Sequence, residues 1–275
     1  MTDTTTVSQK GNPEKRQWTR FTPFERTARF LFYILVVSAI VLSLRTIEII
    51  PEFLYDAPEQ IADMFNRMWP PDQSYYPDTI HAALMETLHI ATLGTLFAVI
   101  FAIPVGVMVA ENVTPIKPLN WLARFILVSS RSINSLVWAL LFVAIFGPGP
   151  LAGALAIAFR SIGFIGKLFG EALEETNKGP IEALQATGAS KLSIMLMGYW
   201  PQVLPTFWSI LLFRWDINIR ESAVLGLVGA GGIGVALSTA LELFYWDRVA
   251  MVLISMLVVV AAVELLVTQI RKRII

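Results

Sequence analysis

Long uncharged stretches of apolar residues recur along the chain, among them 87–110, 192–213 and 249–263. A run of about 20 apolar residues crosses the hydrocarbon layer of a membrane as an α-helix. Because such runs alternate with polar segments over most of the chain, the pattern predicts an all-α polytopic membrane protein. The predicted spans cover approximately 28–50, 80–110, 120–146, 150–175, 193–219 and 246–271.

A further uncharged stretch, 222–241, does not fit this series of spans. It holds Gly226 and several more glycines, each of which weakens a helix by up to about 1 kcal/mol. We interpret it as a broken or re-entrant segment, since irregular backbone at membrane depth is tolerated where protein or a water-filled path covers it. The alternative is a glycine-rich face for helix packing. The candidate gate residues in this segment are Gly229, Gly231, Gly232 and Gly234.

Two shorter elements lie between the spans. Residues 53–69 mix apolar and acidic side chains in a pattern typical of an amphipathic helix on a membrane surface. The sequence Gly147-Pro148-Gly149-Pro150 predicts a turn, because a residue that precedes proline disfavours helix.

The distribution of basic residues predicts the orientation, because positively charged flanks stay on the cytoplasmic side of a membrane. The C-terminus carries Arg271, Lys272 and Arg273, and the N-terminal segment is also basic, so we expect both ends in the cytoplasm. The loop 51–77 has Arg67 as its one basic residue and is expected outside. The N-terminal basic residues are Lys10, Lys15, Arg16, Arg20, Arg26 and Arg29.

Composition argues against several kinds of chemistry. Charged residues make up 15% of the chain and hydrophobic residues 55%, and there is no cysteine to form a disulfide or to ligate a metal. Glu86 and His89 have a metal-like spacing, but a single Glu-x-x-His makes a poor site, so we expect no metal. Gly229-x-Gly231-x-x-Gly234 fits a dinucleotide fingerprint but follows no predicted strand. We expect no catalytic residue, no cofactor and no nucleic-acid partner for this chain.

The polar segment between the fourth and fifth predicted spans contains a short helix by its pattern. Pro180 suits the first helical position, and Ile181, Leu184 and Thr187 fall on one side of a helix. Gly188 suits the left-handed residue that ends a helix. A two-turn helix is not stable alone in water, so this one must dock, either on its own bundle or on another protein.

Two arginines within predicted spans point to an anionic solute. Arg131 and Arg160 each lie about ten residues into a span, on the order of 15 Å deep at the helical rise per residue. A charge there costs at least about 2.5 kcal/mol unless it faces a cavity or a partner. A guanidinium among hydroxyl and amide donors suits a tetrahedral oxyanion. The candidate path residues are Ser129, Ser130, Arg131, Ser132, Asn134, Arg160, Arg220, Glu221 and Ser222.

Two other interpretations of these charges stay open. In the first, the arginines simply form ion pairs within the bundle, as Arg220 beside Glu221 or Arg214 near Asp216 would suggest. In the second, acids at mid-membrane indicate an ion-coupled secondary transporter. The candidate acids for such coupling are Glu86, Glu171, Glu221 and Glu264, most of them near span ends.

The loop helix resembles a motif of permease subunits in binding-protein-dependent ABC importers, which is Glu-Ala-Ala, three residues, Gly, nine residues, then Ile-x-Leu-Pro. The matching residues are Glu182, Ala183, Gly188 and Pro201. Leu184 replaces the second alanine, Gly198 the isoleucine and Trp200 the leucine. The resemblance implies that the helix fits a groove on an ATPase subunit. The implied coupling residues are Pro180, Ile181, Glu182, Ala183, Leu184, Thr187, Gly188 and Lys191.

Several stretches between residues 80 and 271 are similar to phosphonate, phosphite and hypophosphite permeases in particular. They are 130–133 with Trp138, 160–163 with 166–168, 200–205, and 220–222 leading into the glycines of 225–234. Methionine permeases have a similar glycine-rich segment and are the nearest alternative. The resemblance implies a type I ABC importer-like transmembrane domain. Its parts would be a cytoplasmic tail at 1–27, a first span with a periplasmic amphipathic segment at 28–79, and a permease core at 80–275.

As a permease of this kind, the chain would form the translocation path for phosphonate, phosphite or hypophosphite and would catalyse no reaction itself. The resemblance implies a pair of ABC ATPase subunits that hold ATP and Mg, and a periplasmic or extracellular solute-binding protein that delivers the anion. It also implies a second permease copy, in a homodimer surrounded by the lipid of a bacterial plasma (inner) membrane.

Overall fold

The structure is a computed structural model that describes residues 23–47 and 51–274. Within these ranges the elements are helices joined by short loops, and the prediction of an all-α fold is confirmed. Four of the basic N-terminal residues used to predict orientation, Lys10, Lys15, Arg16 and Arg20, lie outside the described residues, as do positions 48–50 of the first predicted span.

The chain divides into two compact units, one up to Gln60 and the other from Ile61 onward. Helix α1, Pro23–Thr46, is long and apolar enough to cross a membrane. Helix α2, Pro51–Met68, runs across the division. It confirms the short amphipathic helix predicted at 53–69 and begins with the acid Glu52 in its first turn, which suits the positive end of a helix dipole.

The second unit contains nine more α-helices within the described residues. They are α3, His81–Val109; α4, Lys117–Ser132; α5, Ser135–Phe146; α6, Pro150–Glu174; α7, Lys178–Ala186; α8, Lys191–Ile194; α9, Trp200–Leu225; α10, Ile233–Glu242; and α11, Trp246–Ile274. A π-helical turn, Tyr76–Ile80, leads into α3, and another, Met195–Tyr199, joins α8 to α9. The turn predicted at 147–150 is confirmed, because α5 ends at Phe146 and α6 begins at Pro150.

Among the described residues, four helices are long and apolar enough to cross a membrane, and two bent helix pairs bring the total to six if each pair is one span. The first bent pair corrects a prediction. The span predicted at 120–146 is not one helix, because α4 and α5 meet at 90°. Ile133 and Asn134 are extended, and the Asn134 side chain accepts a hydrogen bond from Leu136 N at 3.1 Å, which starts a new helix. The depth inferred above for Arg131 was counted along a straight span, whereas Arg131 lies in the last turn of α4, at the bend.

The second bent pair also moves a boundary. The span predicted at 193–219 continues without interruption through Arg220 to Leu225, and a 3-10 turn, Gly226–Val228, follows. The backbone then breaks at Gly229, Gly231 and Gly232, which have φ of +83°, +83° and +75°. Such left-handed values favour glycine. The predicted break within 222–241 is thus confirmed, and α10 leaves it at 42° to the preceding segment.

Helix α6 packs along α3 through small residues. A Cβ added to Gly94 would lie 2.8 Å from Cγ2 of Ile157, and one added to Gly106 would lie 2.6 Å from Cδ1 of Phe169. Glycine at these positions therefore lets the two backbones approach closely. At the α7 end of this contact, Phe169 is fully buried in a cluster that includes Ile181 of α7.

Candidate functional site

Helix α7 is fixed at its start by neutral hydrogen bonds. Asn177 caps it, with Oδ1 accepting from Gly179 N at 3.0 Å. Gln202 of α9 accepts from Asn177 N at 2.9 Å through Oε1 and donates from Nε2 to Gly198 O at 2.7 Å. This corrects the prediction that Pro180 opens the helix. The cap is Asn177, so the helix begins at Lys178 and Pro180 is its third residue.

Helix α7 ends in a left-handed glycine, as predicted. Gly188 has φ +71°, Gly188 N donates to Gln185 O at 3.0 Å, and Ala189 N donates to Leu184 O at 3.2 Å. These two bonds form a Schellman motif, which satisfies carbonyls left open at a helix end. Ser190 then caps α8 by accepting from Ser193 N at 3.2 Å, so the chain turns sharply from α7 into the next helix at Lys191.

One face of α7 packs on the bundle and the other is exposed. Ile181 is buried and Leu184 is half-buried, whereas Glu182 and Ala183 are exposed. A Cβ placed on Gly198 would lie 3.3 Å from Cδ1 of Leu184, so the larger residue at one position contacts the smaller residue at the other. The two departures from the permease motif thus lie side by side, with the larger residue in α7 and the smaller one in the π-helical turn. The other predicted coupling residues, Pro180, Thr187, Gly188 and Lys191, are also exposed.

A second feature is a group of polar side chains between α3, α5, α6 and α9, which we call the arginine cluster. Its centre is the Glu221 carboxylate. Oε1 accepts from Nη1 of Arg160, and Oε2 accepts from Nη2 of Arg214 at 3.2 Å. Arg160 Nη1 also donates to Oγ of Ser135, the first residue of α5, at 3.3 Å. The members are Thr95, Ser135, Arg160, Ser161, Arg214, Asn218 and Glu221.

The inner part of the arginine cluster consists of neutral groups around Arg214. Arg214 Nε donates to Ser161 Oγ at 2.9 Å, and Ser161 Oγ donates to Asn218 Oδ1 at 3.1 Å. Asn218 Nδ2 donates to Thr95 Oγ1 of α3 at 2.7 Å. The guanidinium of Arg214 also lies 5.5 Å from the ring centre of Phe164. Each of these four polar side chains therefore has a partner, as buried polar groups require.

The pairing inside α9 differs from the one predicted. Arg214 pairs with Glu221 and Arg220 pairs with Asp216, rather than Arg214 with Asp216 and Arg220 with Glu221. The physical reason is helix geometry. Residues one or two apart point in different directions, whereas residues four or seven apart share a face.

The structure does not gather the other predicted path residues around Arg131. Arg131 is exposed and lines a cleft of about 300 Å³ with Arg124 and Lys167. Ser130 Oγ donates to Phe159 O and accepts from Gly163 N at 3.0 Å. The other hydroxyls of the predicted path either donate to backbone carbonyls or face apolar groups. Ser132 donates to Val128 O at 2.7 Å, Ser222 donates to Thr87 O at 3.2 Å, and Ser129 lines an apolar cavity of about 700 Å³.

The glycine break is joined to its surroundings by hydrogen bonds that involve its backbone groups. Gly149 N donates to Gly229 O at 2.9 Å, and Ile233 N donates to Thr87 Oγ1 at 2.8 Å. A Cβ on Gly234 would overlap the carbonyl oxygen of Ala223, so this glycine also serves close packing. Both interpretations of the segment, a break and a packing face, are therefore represented in it.

Sequence reasoning missed most of the arginine cluster. Thr95, Ser135, Ser161 and Asn218 were not singled out, and Arg214 was treated as part of a different pair. A usable signal is the spacing of Arg214, Asn218 and Glu221, which places three polar side chains on one face of an otherwise apolar helix. None of the described residues forms a group of three His, Cys, Asp or Glu that could hold a metal.

The bundle of apolar helices, the two bent helix pairs and the exposed loop helix are those of a polytopic membrane protein. Residues 102–275 match the family described as binding-protein-dependent transport system inner membrane component. The chain belongs to this family, which confirms the resemblance carried by the loop helix.

Individual relatives fall in the same class. The chain is 37% identical over 212 residues to the phosphite transport system permease protein PtxC of Stutzerimonas stutzeri, covering 77% of each chain. It is 39% identical over 234 residues to the phosphate-import permease protein PhnE of Mycolicibacterium smegmatis, covering 85% of this chain and 44% of that protein. Its fold is similar to a chain of the inward-facing MetNI methionine ABC transporter, with a TM-score of 0.64 at 22% identity, covering 71% of this chain and 96% of the other.

Proposed function

We propose that the chain is the permease subunit of an ATP-driven importer for phosphonate, phosphite or hypophosphite. The observation that carries this is the geometry of α7, a short helix held at both ends with Glu182 and Ala183 exposed. The name of the relative PtxC, a phosphite permease, supports the substrate class. The excess of cationic over anionic side chains in the arginine cluster supports an anionic solute, because two arginines share one carboxylate.

In this proposal α7 is the coupling helix and its exposed face binds a groove on an ABC ATPase. The ATPase pair holds ATP and Mg, a solute-binding protein delivers the anion, and a second copy of the chain completes the path in a homodimer. Closure of the ATPases on ATP moves α7, and α9 moves with it because Gln202 joins the two. The path then opens outward, and hydrolysis resets it. The chain itself performs no covalent chemistry.

The proposal includes a topology and a division of the chain. Both termini lie in the cytoplasm of a bacterial cell, and α7 lies on the same side. Residues 1–27 are a tail, 28–79 hold the first span and a periplasmic segment, and 80–275 form the core. The path runs past Arg160, Arg131 and Arg220, and the glycine break near Gly231 is its gate.

The first experiment uses the permease purified with its ATPase and reconstituted into vesicles with the solute-binding protein. We expect ATP-dependent uptake of phosphite or methylphosphonate. Glu182→Arg should abolish uptake and release the ATPase, because it reverses the charge on the exposed face of α7. Glu175→Arg is the matched control, since Glu175 is an exposed glutamate just before α7.

Three outcomes would contradict the proposal. Uptake of methionine without any phosphorus oxyanion would assign the chain to the methionine class. Equal ATPase binding by the Glu182→Arg and Glu175→Arg variants would show that α7 is not the coupling helix. Uptake driven by an ion gradient without ATP would favour the secondary-transporter alternative, although Glu221, one of its four candidate acids, is already paired with two arginines.

A further inference from the structure

The arginine cluster has one more cation than anion among its members. Arg160 and Arg214 both donate to the two oxygens of Glu221, and the remaining members are neutral. A charge held within the membrane region is costly unless a partner neutralises it. The cluster is therefore complementary to one additional negative charge.

The two arginines of the cluster are held very differently. Arg214 has a side chain only 4% exposed and is fixed by Ser161, Glu221 and the ring of Phe164. Arg160 is 33% exposed, and among the described residues the hydrogen-bond partners of its guanidinium are Glu221 and the hydroxyl of Ser135. Arg160 is thus the member that can exchange its partner at low cost.

We propose that Glu221 acts as an internal stand-in for the transported anion at Arg160. In the resting state the Glu221 carboxylate is paired with the Arg160 guanidinium, where the transported anion would bind. A tetrahedral phosphorus oxyanion that enters from the exposed side replaces it, because a guanidinium fork binds such an anion through two parallel hydrogen bonds. Glu221 stays paired with Arg214, which keeps its charge neutralised while Arg160 is engaged with the solute.

This inference rests on the proposed function and assigns a role to each charge in it. Arg160 binds the solute. Glu221 and Arg214 are positioning residues, since they act by holding or releasing Arg160. Arg220 is excluded from the exchange, because its partner Asp216 lies one turn away on the same helix and no hydrogen bond among the described residues joins it to the cluster.

The absence of cysteine from the chain allows a direct test, because an introduced cysteine is the only thiol of this chain and its labelling is read on the permease band after the subunits are separated. Asn134 is exposed, and its Oδ1 lies 3.3 Å from Oγ of Ser135, the residue that contacts Arg160. In the Asn134→Cys variant of the assembled transporter, we expect an anionic methanethiosulfonate to react several-fold faster than a cationic one of similar size. Millimolar phosphite should slow the anionic reagent.

Further variants in the Asn134→Cys background separate charge from geometry. Arg160→Gln should remove both the preference for the anionic reagent and the protection by phosphite. Arg160→Lys should keep the preference, because the charge stays, and lose most of the protection, because the fork is gone. Glu221→Gln should give half-maximal protection at roughly one tenth of the phosphite concentration, because the competing charge is removed.

The matched control is Glu171→Gln, which removes a carboxylate from an exposed pair with Lys167 on α6 and should leave the protection unchanged. Protection that persists in Arg160→Gln would overturn the proposal, as would an unchanged half-protection concentration in Glu221→Gln. An introduced thiol that neither reagent reaches in the Asn134→Cys variant would also overturn it, since a closed site exchanges no anion. If Glu221→Gln does not assemble, the two Arg160 variants decide.

The transport assay keeps the two proposals apart. If vesicles that contain the wild-type transporter take up no phosphorus oxyanion, the proposed function fails. If they take up phosphite while phosphite protection is independent of Arg160, the function stands and the exchange at Arg160 is wrong.

Discussion

The helix α7 and the arginine cluster are positioned by opposite means. Helix α7 is held by uncharged contacts, namely the Asn177 cap, the Gln202 bridge and the Gly188 end, and its acid Glu182 is left exposed. The arginine cluster is held by charges, and its neutral members serve to satisfy them. The face of α7 that we propose binds an ATPase is exposed to solvent, whereas a charge kept inside the bundle must be neutralised by a partner.

The largest expected effect concerns the arginine cluster, the part of the comparison that is held by charges. Glu221→Gln should lower the free energy of unfolding by about 3 kcal/mol, because it leaves the buried Arg214 without a carboxylate. Replacing both residues, with Arg214→Met beside Glu221→Gln, should recover part of the loss, because the fully buried charge is gone and only the half-buried Arg160 is left without a carboxylate. Chemical unfolding of the purified protein in detergent micelles measures both.

An exposed ion pair supplies the control for that measurement. Glu111 and Arg124 lie 2.6 Å apart with side chains 69% and 54% exposed. Glu111→Gln should change the free energy of unfolding by no more than about 0.5 kcal/mol. An equal loss in Glu221→Gln and Glu111→Gln would contradict the view that burial makes the cluster costly to break.

The sequence anticipated α7 better than the cluster, and the reason is the range of the interactions. The end of α7 depends on Gly188 and residues within four positions of it, so local rules were sufficient. The cluster joins Thr95 to Asn218, which are far apart in sequence and meet only because α3 packs beside α9. No local pattern identifies such a partner.

Two predictions of helix boundaries were wrong although a nearby capping residue indicated the correct boundary. The bend after α4 follows from Asn134, which is a good N-cap residue in the middle of an apolar run. The early start of α7 follows from Asn177, another good N-cap three residues before Pro180. In both cases the prediction followed hydropathy or a favourable proline, whereas the capping residue sets where the helix begins.

A smaller effect tests the uncharged half of the comparison at the contact between α7 and the π-helical turn. Leu184→Ala should destabilise the protein by about 2 kcal/mol, the low end for a leucine truncation, because Leu184 is half-buried. Gly198→Ile should also be destabilising, because its Cβ would already lie 3.3 Å from Leu184 Cδ1.

The double variant is the decisive measurement for that contact. Leu184→Ala with Gly198→Ile restores the residues that the permease motif carries at both positions, so each change removes the defect of the other. We expect a favourable coupling free energy of about 1 kcal/mol or more in a double-mutant cycle. Additive effects would show that the two departures from the motif arose independently and do not compensate.

The smallest expected effect isolates backbone geometry at the end of α7. Apart from its two chain neighbours, none of the described residues lies within 4 Å of a Cβ built on Gly188, so Gly188→Ala introduces no clash with them and its cost comes from φ +71°. That conformation costs a residue with a Cβ about 1 kcal/mol, and less for asparagine. Gly188→Asn should therefore fall between the wild type and Gly188→Ala in unfolding free energy.

Gly179→Ala, inside the first turn of α7, is the matched control and should be neutral or stabilising, because helical backbone favours alanine over glycine. If ATPase binding follows the same order as stability across these three variants, the angle at which α7 meets the next helix is what the ATPase senses. If binding falls equally in Gly188→Ala and Gly188→Asn while stability differs, the ATPase contacts position 188 directly.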